Sequence, residues 1–226
     1  MKLTVIIPVY NEKHTILEVI RRVKDVQINK EIIVVDDGST DGTREMIKNY
    51  KKFDGIKFVF HEKNCGKGSA IKTGLKFATG DVTIIQDADL EQEPSNYTEM
   101  LDCIIHDSCD AVFGSRLLSW GFDFNIRYLA NLCLALTTSI LYRCNLSDVM
   151  TGYKMIKTSI LRELDLKSNG FNIETEIAAK LLKKKIRMKE IPITYRPRSY
   201  TEGKKIRFRD SFGIIWALVK NRLTSS

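Results

Sequence analysis

The sequence predicts an α/β fold in which a mostly parallel sheet carries helices on both faces, and three observations carry that expectation. Short β-branched runs, "LTVIIPV" and "EIIVVDD", flank a stretch that sets Ile16, Val19, Ile20, Val23 and Val26 on one helical stripe, which makes a βαβ unit. The alternation then repeats as helix "TREMIKNY", strand "IKFVF", helix "GSAIKTGLKFA", strand "DVTIIQD", a further helix and strand "DAVFGS". Finally, Asp36, Asp37, Asp87 and Asp89 all fall at the carboxyl ends of these strands. That is the edge at which open parallel sheets bind ligands.

Beyond Arg116 the pattern changes. Helical periodicity recurs near residues 125–143 and 172–185, followed by a strand-like run "MKEIPITYRPR", a polar basic loop and a final helix from about Phe208. There is no internal repeat and no low-complexity linker. The chain therefore reads as one domain over residues 1–226, with a nucleotide-type half at 1–116 and an acceptor-type half at 117–226.

The formal charge is +8 over 226 residues, and much of the excess lies late, in "KLLKKKIRMK" and "EGKKIRFR". Nucleic acid, an anionic membrane and a phosphorylated substrate all present negative charge to such a surface. No recognition helix, zinc-finger spacing or interleaving of aromatics with the basic residues appears, so no nucleic-acid partner is expected. The five cysteines form no C-x-x-C pair and read as reduced thiols of a cytosolic protein. "MKLTVIIPVYNE" has too short an apolar run for a signal peptide. "IRYLANLCLALTTSILYR" is interrupted by Asn131 and bounded by arginines, which predicts a buried or surface-lying helix rather than a membrane span.

Four motifs carry chemistry. In "IIQDADLEQEP" two aspartates one residue apart project to one side if the strand continues. Holding two like charges together calls for a divalent cation on oxygen ligands, and the alternative is a solvated acidic turn. In "PVYNE" the Tyr10 ring suits stacking on a base while Asn11 and Glu12 suit its hydrogen-bonding edge, or the motif simply ends a strand. "VVDDGSTDGT" takes Asp36 and Asp37 out of a buried strand into a loop whose side chains either meet a base or ribose or cap the next helix. "NCGKGSAIKTG" is neither a Walker A loop nor G-x-G-x-x-G; Gly66 and Gly68 permit a close turn into a helix, with Lys67 a diphosphate contact or part of helix-entry punctuation.

These motifs, with "FGSR" and "DVMTGYK", occur in an order and at spacings that resemble the family 2 glycosyltransferases of the GT-A fold, in the branch of dolichol-phosphate mannose synthases and polyprenyl-phosphate glycosyltransferases. The resemblance covers essentially the whole chain. It implies a nucleotide-diphosphate sugar donor, GDP-mannose or UDP-glucose, a Mg²⁺ or Mn²⁺ ion, and inverting transfer of mannose or glucose to a polyprenyl or dolichyl phosphate. It makes Pro8, Tyr10, Asn11, Glu12, Asp36, Asp37, Lys67, Asp87, Ala88 and Asp89 nucleotide-sugar contacts, and puts the metal on Asp87, Asp89 and Glu91. Arg116 and Arg127 become acceptor-phosphate contacts, joined by Arg198, Lys204 and Lys205 in a loop that covers the site. Asp89, Asp148 and Arg116 form the catalytic set, with Asp148 a base or a positioning carboxylate.

The chain departs from that branch in two ways. Many members have glutamine at the position of Glu91, and many carry C-terminal membrane spans, whereas this sequence ends at Ser226 on an amphipathic segment. A cytoplasmic protein held peripherally on a membrane surface, or by a membrane protein, is the expectation. Transfer to a sugar hydroxyl and non-catalytic binding of a nucleotide sugar are the alternatives. A phosphatase of the haloacid dehalogenase type is disfavoured because "DADLE" follows a late strand, and a sugar nucleotidyltransferase because the first strand ends in "PVYNE" rather than a glycine-rich loop.

Overall fold

A run of seven buried residues, Leu3–Val9, forms β1 in the middle of the sheet. Its "LTVIIPV" sequence offers apolar groups to both faces, as a strand covered on both sides requires. The structure, a computed structural model, describes residues 1–49, 55–119 and 126–197 together with 218 and 222, the side chains at 126–128 and 130 excepted.

Around β1 are arranged α1 (Ile16–Asp25), β2 (Lys30–Asp36), α2 (Thr43–Asn49), β3 (Ile56–Phe60), α3 (Lys67–Phe77), β4 (Val82–Ile85), α4 (Tyr97–His106) and β5 (Ala111–Ser115). The second half adds α5 (Ile126–Tyr142), β6 (Lys154–Lys157), α6 (Thr158–Glu163), α7 (Ile173–Lys183) and β7 (Met188–Pro192). Among the described residues the seven strands form one sheet in the order β3-β2-β1-β4-β6-β5-β7. Of these, only β6 runs against its neighbours, β4 and β5. The predicted α/β class and mostly parallel sheet are what the fold shows.

Alternation along β1 divides the core. Leu3, Val5, Ile7 and Val9 join a cluster with α1 and α4, while Ile6 joins the opposite cluster with α3, α6 and α7. Ile16, Val19, Ile20 and Val23 form the buried stripe of α1 as predicted. Gly74 is needed where α3 crosses β1, since a Cβ there would lie 2.6 Å from Ile6 Cγ2.

β1 has the extent expected, with Pro8 buried inside it against Val35, beyond the point where β1 stops pairing with β4 at Ile6. Two other points differ from the expectation. β4 ends at Ile85 rather than running on through Asp87: the Gln86 N–H still bonds the Ile6 carbonyl, and the Gln86 side chain turns inward to accept from the Tyr97 hydroxyl. The short strand β6, "KMIK", is invisible to apolar periodicity because a lysine stands at each end, and Lys154 is fully buried. Antiparallel β6 pairs Ile84 with Met155, which brings the segment entering β6 beside the carboxyl end of β4.

Candidate active site

The carboxyl ends of β1, β2, β4 and β5, with the segment entering β6, gather the predicted residues at one edge of the sheet. Asn11 adopts a left-handed backbone with φ 54°, which asparagine tolerates well. Its side-chain oxygen accepts from Thr40 N at 2.8 Å, and the N–H of Glu12 donates to Thr43 Oγ1 at 3.0 Å. Thr15 Oγ1 contacts both Glu12 Oε2 at 2.9 Å and the Ala88 carbonyl at 2.7 Å. Asn11 and Glu12 thereby tie the loops after β1, β2 and β4 together, with the Tyr10 ring half-buried beside them.

Asp36 and Asp37 are 1% and 2% exposed, so each serves an internal partner. Asp36 accepts from Arg44 Nε at 2.6 Å and from Ser39 N at 3.2 Å, which fastens β2 to α2. Asp37 accepts from the backbone N–H groups of Cys65 at 2.9 Å and Gly66 at 2.7 Å, and bonds His61 Nδ1 at 2.6 Å. Among the described residues, Asp37, His61 and Cys65 are the one set of three potential metal ligands gathered within 4.8 Å. Their partners make them a clasp on the turn that opens α3. Gly66 and Gly68 fit this turn against the protein itself: a Cβ on either would stand 2.4 Å from the carbonyl oxygen of Asn169 or Ser168.

The clasp delivers Lys67 to the site. Its ammonium lies 2.6 Å from Asp87 Oδ1 and 2.8 Å from Glu174 Oε1, and Glu174 Oε2 in turn lies 2.8 Å from Lys154 Nζ. Lys154 also donates to the Thr151 carbonyl. A chain of alternating charge, Asp87, Lys67, Glu174 and Lys154, thus joins the end of β4 to α3, α7 and β6, with Glu174 and Lys154 buried. Burial opposes charge at Lys67, Glu174 and Lys154. For Glu174 the two lysines outweigh burial and hold its carboxyl at about 2. Burial likewise pulls Lys67 down, but Asp87 and Glu174 together raise it. For Lys154 burial wins, and its ammonium is lowered despite Glu174 and Asp148.

The three carboxylates expected to hold a metal together are not gathered. Asp87 is paired with Lys67, and Glu91 Oε2 accepts from the Tyr195 hydroxyl at 2.5 Å. Asp89 Oδ1 accepts the Glu91 N–H at 3.2 Å across Leu90, whose φ of 62° swings the chain round. The same-side placement of Asp87 and Asp89 assumed an extended backbone, and β4 has already ended at Ile85. The donor chemistry nevertheless suits a hard cation: every side-chain ligand offered is a carboxylate oxygen, and the buried Gln92 Oε1 close by has no hydrogen-bond partner.

Gly152 controls how closely the segment entering β6 approaches Asp87. A Cβ there would sit 2.5 Å from Asp87 Oδ2 and 3.0 Å from Gln92 Nε2. Gly152→Ala should therefore push Asp87 off Lys67 at a stability cost of about 1 kcal/mol, because a side-chain end can move aside. On the expectation that a nucleotide sugar binds here with a divalent ion, the same displacement should weaken that binding several-fold. Calorimetric titration with the donor and Mn²⁺ checks this, and unchanged affinity would remove Asp87 from the site.

At the end of β5, Arg116 grips Asp148 with a fork: Nε to Oδ2 at 2.7 Å and Nη2 to Oδ1 at 2.8 Å, with the Arg116 backbone N–H on Oδ2 at 3.0 Å. Glu190 on β7 accepts from the N–H groups of Ser147 at 2.7 Å and Asp148 at 3.0 Å, which sets the turn that carries Asp148. Burial would raise the Asp148 carboxyl, but the guanidinium holds it below its ordinary value. The Arg116 guanidinium also lies 5.3 Å from the centre of the Tyr195 ring, so Tyr195 touches both the acidic loop and the arginine. Arg127 lies in the first turn of α5 with its side chain undescribed; Arg198, Lys204, Lys205 and the predicted helix from Phe208 lie outside the described residues, save Leu218 and Arg222.

Sequence reasoning missed Lys154, Glu174, Glu190 and Tyr195. The available signal was charge inside apolar runs, as in "NIETEIAA", where Ile173, Glu174, Thr175, Glu176 and Ile177 are all buried.

A model of the glycosyl transferase family 2 domain matches residues 4–165, which span the loops after β1, β2, β4 and β5 as well as the Arg116–Asp148 fork. The chain belongs to glycosyl transferase family 2. It is 30% identical to a dolichol-phosphate mannosyltransferase of Pyrococcus furiosus over 90% of this chain and 59% of that protein. It is 29% identical to the glycosyltransferase AglJ of Haloferax volcanii over 86% of this chain and 63% of that protein. It thus spans less than two thirds of either. An undecaprenyl-phosphate mannosyltransferase of Micrococcus luteus is 28% identical and is matched over 92% of its length. Among solved structures, glucosyl-3-phosphoglycerate synthase of Mycobacterium tuberculosis, in complex with Mn²⁺, uridine diphosphate and phosphoglyceric acid, superposes with a TM-score of 0.73 at 19% identity, covering 100% of this chain and 80% of that one. Mannosyl-3-phosphoglycerate synthase of Rubrobacter xylanophilus gives 0.73 at 18% identity, covering 98% of this chain and 72% of that one. The GT-A fold expected from the motifs of this family 2 member is therefore the fold it has.

Proposed function

We propose that this family 2 glycosyltransferase moves mannose or glucose, with inversion, from a nucleoside-diphosphate sugar, GDP-mannose or UDP-glucose, to a polyprenyl phosphate at the cytoplasmic face of a membrane. Relatives named as mannosyltransferases acting on dolichol phosphate and undecaprenyl phosphate support this reading. The observation that carries it is the Arg116–Asp148 fork. It holds a cation at the site edge and engages both oxygens of the carboxylate that a hydroxyl acceptor would need as a base. An acceptor phosphate brings an oxygen that is already ionised near neutral pH, and it benefits from a fixed guanidinium.

In this reading Tyr10, Asn11, Glu12 and the Asp36–Asp37 loop shape the nucleotide end, with Pro8 and Ala88 packed beneath it. Lys67 presents its ammonium to the diphosphate, steadied by Asp87 and Glu174. Asp89, with Asp87 and Glu91, would hold Mg²⁺ or Mn²⁺, whose charge offsets the negative charge growing on the departing diphosphate. Arg116, backed by Asp148 and stacked on Tyr195, orients the acceptor phosphate. Residues 117–226 complete the acceptor half of a single domain, with Arg127, Arg198, Lys204 and Lys205 as further phosphate contacts.

The test is transfer of labelled sugar from each donor, with Mn²⁺, to a short-chain polyprenyl phosphate and to simple glycosides. Asp148→Asn should lower transfer to the polyprenyl phosphate on the order of tenfold, by loosening Arg116, and leave the pH profile unshifted. Transfer to glycosides alone, abolished in that variant, would replace the lipid-phosphate acceptor with a hydroxyl.

A further inference from the structure

An oxygen, a nitrogen and a sulfur donor converge where β2, β3 and α3 meet. Asp37 follows β2, His61 follows β3, and Cys65 stands in the turn that opens α3. One carboxylate oxygen, the imidazole nitrogen and the Cys65 Sγ lie within 4.8 Å of one another. Backbone bonds fix the frame that carries them. The Asp37 N–H donates to the Val9 carbonyl and the His61 N–H to the Asp36 carbonyl, each at 2.8 Å, and the Cys65 N–H reaches Asp37 Oδ1 at 2.9 Å.

We propose that Asp37, His61 and Cys65 form a second metal site, separate from the carboxylates of the loop after β4, that takes Zn²⁺ or a similar borderline ion with water as its fourth ligand. The donor set selects the ion. Mg²⁺ and Mn²⁺ favour all-oxygen ligands, whereas an imidazole and a thiolate beside one carboxylate suit Zn²⁺, and thiolate and carboxylate together balance its charge. The outer contact is also in place: His61 Nε2 lies 2.9 Å from Thr73 Oγ1. With Nδ1 on the metal, Nε2 carries the ring proton and donates it to that hydroxyl, as metal-bound histidines do to fix their tautomer and orientation.

The geometry asks for small movements. Tetrahedral Zn²⁺, at about 2.0 Å from oxygen and nitrogen and about 2.3 Å from sulfur, holds its ligand atoms roughly 3.3–3.6 Å apart. Asp37 Oδ1 and His61 Nδ1 stand at 2.6 Å, the separation of a shared proton, so the ion opens this pair slightly. Cys65 is exposed, and its thiol donates to the Lys63 carbonyl at 3.3 Å, a weak bond given up as the side chain turns inward. Its exposure also gives the ion an entry path and water a place to bind. Binding sends the thiol proton, with any second proton of the ring, to the buffer and leaves one ring proton on Nε2. The bound ion ties β2 to the turn that delivers Lys67 and stabilises the folded chain by mass action.

The test titrates Co²⁺, a spectroscopic substitute for Zn²⁺, into the full-length protein with a non-thiol reductant and no nucleotide sugar. Wild type should develop a thiolate-to-cobalt charge-transfer band with the intense visible absorption of four-coordinate cobalt, and Zn²⁺ should displace both. Cys65→Ser should lose the charge-transfer band and weaken Zn²⁺ binding by on the order of a hundredfold or more. Cys133→Ser, which removes the other exposed thiol, should keep band and affinity. Zn²⁺ should raise the melting temperature of wild type but not of Cys65→Ser, whose own fold the exposed substitution spares. Absence of the band overturns the proposal, and so does a band or a Zn²⁺ affinity that survives Cys65→Ser unchanged. His61→Gln tests the imidazole: full Zn²⁺ affinity in that variant overturns the site as well. Because neither donor nor acceptor is present, a negative result here leaves the transfer reading standing, and a failure of transfer leaves this site standing.

Discussion

Asp89→Asn is expected to fold like wild type and to lose sugar transfer by on the order of a hundredfold to a thousandfold, the range found when one preorganised hydrogen-bond donor that stabilises a transition state is removed. The amide keeps the size of the carboxylate and can still accept the Glu91 N–H that reaches Asp89 Oδ1 at 3.2 Å. What it loses is a negative ligand in the loop that also carries Asp87 and Glu91, the other two carboxylates assigned to the ion. Titrating Mn²⁺ and donor into both proteins, alongside turnover, checks the assignment. Equal metal affinity in the two would remove Asp89 from the metal site, and an intermediate loss would divide the ion among Asp87, Asp89 and Glu91.

Glu174→Gln is expected to cost about 3–5 kcal/mol of stability, because it strands buried cations. Lys154 is fully buried and would keep the Thr151 carbonyl and the Phe113 ring but no carboxylate in contact; Lys67 would keep Asp87. Adding Lys154→Met to Glu174→Gln should recover much of the loss, since an apolar side chain of similar length asks for no counter-charge. Urea unfolding of the three proteins measures this, and a single substitution costing under about 1 kcal/mol would show that the charge chain does not hold the second half to the first.

The pH dependence follows from the same carboxyl. Glu174 sits at about 2 when folded against an ordinary 4.5, so the folded state prefers its ionised form. Its contribution is complete above about pH 4.5 and is lost as pH falls toward 2, where both states bind the proton. The stability gap between wild type and Glu174→Gln should narrow over that window. A gap that is constant with pH would place the effect in packing rather than charge.

How far the sequence could be read differs from residue to residue for physical reasons. The βαβ order, the stripe of α1 and the extent of α5 and α7 are local properties, set by which side chains recur every second or every third to fourth position. The D-A-D loop and the DDGS loop were recognisable because acidic residues leaving an apolar strand are conspicuous in one dimension. What those acids touch was not, because a carboxylate takes its role from the donor that meets it. Asp37 turned out to clasp the turn at Cys65 and Gly66, which lies 28 and 29 residues away along the chain.

The tertiary structure alone decided the rest. By itself the sequence determined an α/β domain of glycosyltransferase family 2, with acidic loops at the carboxyl ends of its strands and basic residues behind them. It could not show that β6 runs antiparallel and carries Gly152 up to Asp87, since four residues flanked by lysines have no period. Nor could it show that Lys67 and Lys154 share Glu174, or that Arg116 forks onto Asp148 across 32 residues of chain. Ion pairs form wherever folding brings opposite charges together away from water, and that meeting is a property of the packed sheet and its helices rather than of any stretch of chain.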